Sequence, residues 1–152
     1  MFSTVRYFIK TSIIFLFAGV ASGMYMLIMK NHFDTWPDPE MVSAHTHVIL
    51  FGTVMMMIMG VALWFFPRPE KEDRLYKPCL ILATYYVMTI STSVRFISQV
   101  ISSFILPNSL LLHLITNASF FHIVGMVLFF ISIWERIRAV GSHIREAKGE
   151  RF

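Results

Sequence analysis

Histidine is the residue type with the most chemistry to offer in this chain. Six occur, and His45, His47, His113 and His122 lie inside long apolar stretches, where an imidazole must find a hydrogen-bonding or metal partner. For any one of them the plainer reading is a hydrogen bond to a carbonyl or a neighbouring helix. Several in one small chain favour a metal or haem site, because helix bundles build such sites from inward-facing side chains. His45 and His47 are two residues apart, about 200° around a helix, so they cannot both face one ligand squarely. The His45 face continues through Ile49, Gly52, Met56 and Met59, and Gly52 there offers clearance for a flat macrocycle. The His47 face continues through Phe51, Val54, Ile58 and Phe65, which reads as ordinary packing. His45 is therefore the expected ligand, with His47 the lesser candidate.

Depth separates the remaining candidates. His113 stands about as far along its stretch as His45 does along its own, so a group between the two stretches would meet both. His122 lies nine residues further on, roughly 13 Å at 1.5 Å per residue. Yet Ala118, Ser119 and Gly125 surround His122 with small side chains, whereas Asn117 and Phe120 follow His113. Both stay open as partners for His45. Arg95, in the middle of the third stretch, is placed to pair with an anion such as a haem propionate through charge-assisted hydrogen bonds, or to snorkel to the surface. Tyr85 and Tyr86 read as packing or interface residues. The run Met55-Met56-Met57 with Met59 would suit copper, but at helical spacing such methionines are more often adaptable core filler, so copper remains a minor option. Cys79 is the single cysteine, which excludes an internal disulfide and a c-type haem attachment.

These residues need elements that can hold them in lipid. The chain has 152 residues, of which 56% are hydrophobic and only 14% charged, a balance that points to a single membrane-embedded domain rather than a soluble one. Four apolar stretches, about 10–29, 43–66, 77–105 and 110–134, each meet the roughly 20-residue requirement for a spanning helix. The third is long enough to tilt or project. Arg6 and Lys10 precede the first stretch and would also suit a signal peptide, but its length favours a retained helix. Arg68, Lys71, Arg74 and Lys77 separate the second and third, and Arg136, Arg138, Arg145, Lys148 and Arg151 follow the fourth. Lys30 stands alone on the other side. The expectation is an all-α, integral membrane four-helix bundle with both termini cytoplasmic, in a cell's inner membrane. Trp64 and Trp134 then share the inner interface. The net charge of +4 is accounted for by these flanks, and nucleic acid is not an expected partner. The connection 31–40 reads as an acidic loop and 141–152 as a polar tail. Gly19-Val-Ala-Ser-Gly23 permits close helix approach, most simply within the same chain.

The segment Ala44-His45-Thr46-His47-Val48-Ile49-Leu50-Phe51, continuing through Met59-Gly60-Val61-Ala62-Leu63-Trp64-Phe65-Phe66-Pro67-Arg68, resembles the second helix of subunit I in the haem-copper oxidase and nitric oxide reductase superfamily. The whole chain looks like short four-helix proteins related to that subunit. The resemblance implies that His45 ligates a haem b, and that the bundle corresponds to one four-helix arc of subunit I. It implies a homo-oligomer, with a trimer as one option, or a place among respiratory complex subunits. The histidine cluster of the family's copper site is not found, so oxygen reduction and proton pumping are not implied. The expected function is a membrane b-type haem protein for electron transfer, with a quinone as one partner, or for redox chemistry on nitric oxide or oxygen. The alternative is a non-catalytic structural or assembly subunit of a respiratory complex. Whether the chain is an enzyme is left open.

Overall fold

A computed structural model describes residues 2–66, 78–106, 108–137 and 149. It is helical throughout its regular elements. Helix α1 covers Phe2–Phe33 and α2 covers Pro39–His47; a π-helical segment, Val48–Met55, runs on into α3, Met56–Phe65. Helix α4 covers Pro78–Ser102 and α5 covers Ser109–Ile133, followed by a short 3-10 turn, Trp134–Arg136. Four helices are long and apolar enough to cross a membrane, with Pro39–Phe65 acting as one continuous second span. Large apolar side chains cover the outside of the bundle on every helix, as expected where hydrocarbon rather than water is the solvent.

The first connection is shorter than the sequence suggests, because both flanking helices extend into it. Helix α1 runs on through Asn31, His32 and Phe33. Asp34 then adopts a left-handed conformation, φ 49°, which Asp tolerates better than most residues. This turns the chain so that the Thr35 N–H donates to the Met29 carbonyl, 3.1 Å. Asp38 caps α2 by accepting from the Glu40 N–H, 2.8 Å, and Pro39 fills the first helical position, where its missing N–H costs nothing. Asn108 does the same for α5, accepting from the Leu110 N–H at 2.9 Å.

Helix α1 packs along the whole second span, and α4 packs along α5; α2 and the π-helical segment also meet α4. Helix α5 reaches the second span chiefly through side chains. At the end where the termini lie, Phe8, Met56, Met59, Leu63, Ile81, Phe129 and Ile133 form much of the core. Arg136 is fully buried there, 0% exposed. Its Nη2 donates to the Leu63 and Phe66 carbonyls, at 3.3 and 3.2 Å, two of the acceptors that a helix end leaves unsatisfied. One of the charges expected at a flank is therefore a clamp between α5 and the end of the second span. Trp64 and Trp134 are exposed at the same end. The sequence segments 67–77 and 138–148 with most of the remaining basic residues lie outside the described residues.

Candidate functional site

The second span carries two histidine sites on two faces. His45 turns toward α1. Its Nδ1–H donates to the Gly19 carbonyl at 2.9 Å, with the Ser22 hydroxyl 3.3 Å away; Ser22 itself donates to Gly19, 2.8 Å. A carbonyl can only accept, so this bond puts a proton on Nδ1, and in the neutral imidazole the lone pair is then on Nε2. The small residues of α1 make the approach possible. A Cβ at Gly23 would stand 2.9 Å from His45 Cε1, closer than packing permits. The Gly19–Gly23 pattern thus serves contact within the chain. His45 is half-buried, and Nε2 has no partner among the described residues.

The other face holds His47, Phe51 and His122. His47 Nδ1–H donates to its own helix, to the Ser43 carbonyl at 2.8 Å. Its ring lies parallel to Phe51, 5.8 Å between centroids and 2° between planes. Phe51 in turn stacks on His122, at 4.6 Å and 14°. His122 is 1% exposed. Its Nε2 pairs with the Thr92 hydroxyl at 3.0 Å, and its Nδ1 is buried with no hydrogen-bond partner among the described residues. The π-helical turn begins directly after His47. Such widened turns insert an extra residue and re-aim the side chains beyond them, often beside functional groups. Here the Thr53 hydroxyl reaches back five residues to the Val48 carbonyl, 3.4 Å.

Beside this stack, near the first connection, lies a polar knot. Gln99, 2% exposed, donates through Nε2 to Ser43 Oγ at 2.7 Å and to Glu40 Oε2 at 3.1 Å. Its Oε1 accepts from Arg95 Nε, 3.4 Å. The carboxylate and guanidinium thereby share one amide inside an apolar bundle, which limits the cost of bringing either out of water. Gln99, Glu40, Ser43 and Thr92 are not singled out by the histidine pattern. A signal for Thr92 and Gln99 exists in the seven-residue spacing of Thr84, Ser91 and Ser98 beside them, all buried on α4.

The residues expected to act together are distributed over separate places. His45 touches α1, whereas His122 touches Phe51 and Thr92, and the two share no neighbour among these contacts. His113 is exposed on α5, away from both. The clearance expected at Gly52 is filled by α1, because a Cβ there would stand 2.8 Å from Phe15 Cγ. The small residue beside His122, Gly125, is filled in the same way by Met88, 2.6 Å from such a Cβ. Arg95 is engaged by Gln99 rather than free. Met56 and Met59 are core residues, and Met57 Sδ accepts from the Ser12 hydroxyl at 3.7 Å. Among the described residues, no three His, Cys, Asp or Glu side chains converge to hold a metal ion. No family model, curated protein or solved structure matches this chain.

The chemistry on offer is thus of two kinds. His45 has one imidazole nitrogen, Nε2, without a hydrogen-bond partner among the described residues, the other being held by a backbone carbonyl, as in ligating histidines. In the interior stack His122 is closed off from the outside. Between the second span and α5 a planar group does not fit, because Phe51 and His122 stack there at 4.6 Å, and the spaces at Gly52 and Gly125 are taken by Phe15 and Met88.

Proposed function

We propose that this chain is a b-type haem protein of the inner membrane with both termini cytoplasmic, in which His45 Nε2 is the iron ligand. The observation that carries the reading is the bond from His45 Nδ1–H to the Gly19 carbonyl, which orients the ring and, in the neutral imidazole, puts the lone pair on Nε2. The resemblance of the second span to subunit I of the haem-copper oxidase and nitric oxide reductase superfamily favours the same residue. Bound haem supplies one-electron chemistry, and the role is electron transfer with a membrane quinone or respiratory partner, or redox chemistry on a diatomic gas. This chain's own residues hold the imidazole: Gly19 and Ser22 fix its tautomer, and Gly23 lets α1 lie against it. His113 and His122 do not stand beside His45, so neither would share with it the holding of a haem.

A second reading, a non-catalytic subunit of a respiratory complex, is favoured by the filled spaces at Gly52 and Gly125. Oxidised and dithionite-reduced absorption spectra of detergent-purified protein, expressed with ample haem, separate the two. A Soret band that is lost in His45→Ala and kept in His47→Ala supports the haem reading. A colourless wild-type protein rejects it in favour of the structural subunit.

A further inference from the structure

Helix α5 buries Leu111, Ala118, His122, Gly125, Phe129 and Ile133 against the rest of the bundle. Its opposite side carries Leu110, His113, Asn117, Phe120, Val127 and Ile131, all exposed. Those positions follow one another at intervals of three and four residues, with the half-buried Val124 completing the series, which is the spacing of a helix–helix seam. Two members of the seam are polar, and they are one turn apart. The His113 imidazole has no partner among the described residues. Asn117 Nδ2 donates to the His113 carbonyl at 2.8 Å, which leaves its Oδ1 unpaired. Thr116, just beside the seam, is satisfied by the Leu112 carbonyl, 2.8 Å.

Asn117 is the ninth residue of α5, about 12 Å along the helix axis from its start at 1.5 Å per residue. That places it within hydrocarbon, and its side chain is too short to reach the headgroups as Lys or Arg does. An unpaired carboxamide oxygen and an unpaired imidazole in lipid are each costly. Lipid tails offer no donor for either.

We propose that this seam is the contact between two copies of the chain, packed α5 against α5 about a two-fold axis along the helix. A two-fold axis brings each residue opposite itself, so the residues on it must pair with their own kind. A carboxamide has both donors and acceptors, and a neutral imidazole has one of each; both satisfy that condition, whereas a carboxylate or an ammonium does not. Asn117 faces Asn117 of the second copy, and His113 faces its counterpart one turn away. Leu110, Phe120, Val127 and Ile131 supply apolar packing above and below. A single Asn in such a seam also fixes register.

The test is a single-cysteine scan along α5 of the full chain in Cys79→Ser, reconstituted in lipid and treated with a mild oxidant. Strong dimer bands are expected for Phe120→Cys and Val127→Cys, and weak ones for Leu112→Cys, Thr116→Cys and Ile123→Cys. In parallel, energy transfer between labelled copies is followed on dilution into lipid. Asn117→Leu is expected to weaken association about tenfold, in line with one to two kcal/mol for a polar contact between membrane helices, and Asn117→Gln to retain most of it. Equal cross-linking at all five positions, a monomeric wild type, or Asn117→Leu associating as the wild type does would each overturn the proposal. A wild type that associates only with a different protein would overturn it too. Because the readout is association, measured with and without added haem, its failure is separate from failure of the haem reading.

Discussion

At the residue scale, the distinction between His45 and His47 comes from what each ring leans on. His45 leans on a neighbouring helix whose side chains are nearly absent, so its position depends on Gly19 and Gly23 staying small. Gly23→Val would place a side chain where the imidazole now lies, and overpacking of this kind costs about 1–3 kcal/mol. The expected result is a lower unfolding midpoint in an SDS titration and, where haem is bound, loss of the Soret band. Gly60→Ala, which meets Ile9 and Phe8 instead, is expected to lower stability without touching the haem signal. A Soret band unchanged in Gly23→Val would remove the role assigned to the Gly19 carbonyl.

Gln99 is the other residue on which much depends. It holds Glu40, Ser43 and Arg95 with one amide. Gln99→Leu keeps most of the volume and removes every one of those bonds, leaving two charged groups with poorer partners. Net losses of about 0.5–1.5 kcal/mol per bond, larger where a charge is involved, give an expected destabilisation of about 2–4 kcal/mol. Glu40→Gln, which preserves an acceptor for the same donor, is expected to cost less. Equal losses for the two would mean that the knot is held by its charges and not by the amide.

At the scale of elements, the unusual one is the second span. A π-helical segment between two α-helices lets His47 and Phe51 stack while Phe15 and Ile49 fill the α1 side. Nothing in the apolar run Val48–Met55 announces this turn, since helical periodicity alone cannot reveal one inserted residue. The starts of α2 and α5 are different: Asp38-Pro39 and Asn108 are local capping signals, but apolar content alone set the expected starts at about 43 and 110, so α2 begins four residues earlier than expected. The close approach encoded by Gly19 and Gly23 was readable from the chain itself. The neighbours of Gly52 and Gly125 were not readable, because a glycine marks only that something comes close, and here the visitors are Phe15 and Met88 rather than a cofactor. The Thr92–His122 pair was hidden for the same reason: its members are 30 residues apart on different helices.

The clamp at the other end of that span gives an element-scale expectation. Arg136 ties the 3-10 turn after α5 to the carbonyls of Leu63 and Phe66. Arg136→Met retains much of the bulk and removes the donors. With hydrogen bonds from a charged group contributing about 1.5–3 kcal/mol each, the expected loss is about 3 kcal/mol, read as a lower unfolding midpoint. Hydrogen exchange should rise first in Leu63–Phe66, at the end of the second span. Exchange that rises instead around Gln99, at the far end, would show that the clamp is not what holds the two elements together.

At the scale of the whole molecule, four spanning helices leave one binary unknown, the direction in which they are inserted. The count of basic residues gives the expectation. Arg6 and Lys10 begin α1 and Arg136 follows α5, while 67–77 and the chain after Ile137 add Arg68, Lys71, Arg74, Lys77, Arg138, Arg145, Lys148 and Arg151. The opposite end has Lys30, whose ammonium sits over Trp36 at 4.9 Å, together with Asp34, Asp38 and Glu40. Acidic residues count little in setting orientation, so Glu70, Glu72 and Asp73 do not cancel the basic ones near them. The terminal end is therefore expected on the cytoplasmic side. An impermeant maleimide applied to intact cells should label Asn31→Cys in Cys79→Ser, and should label the exposed Cys79 of the wild type only after the membrane is opened. The reverse pattern would put His45 and the Gln99 knot on the cytoplasmic half of the bilayer. Electrons would then reach a His45 haem from the cytoplasmic side, and Trp36 with Lys30 would anchor the inner rather than the outer headgroups. The expected pattern instead places His45, His113 and the Glu40 carboxylate in the outer half. A periplasmic or outer-leaflet redox partner is then within reach, while the basic tail remains on the side where anionic lipids attract it.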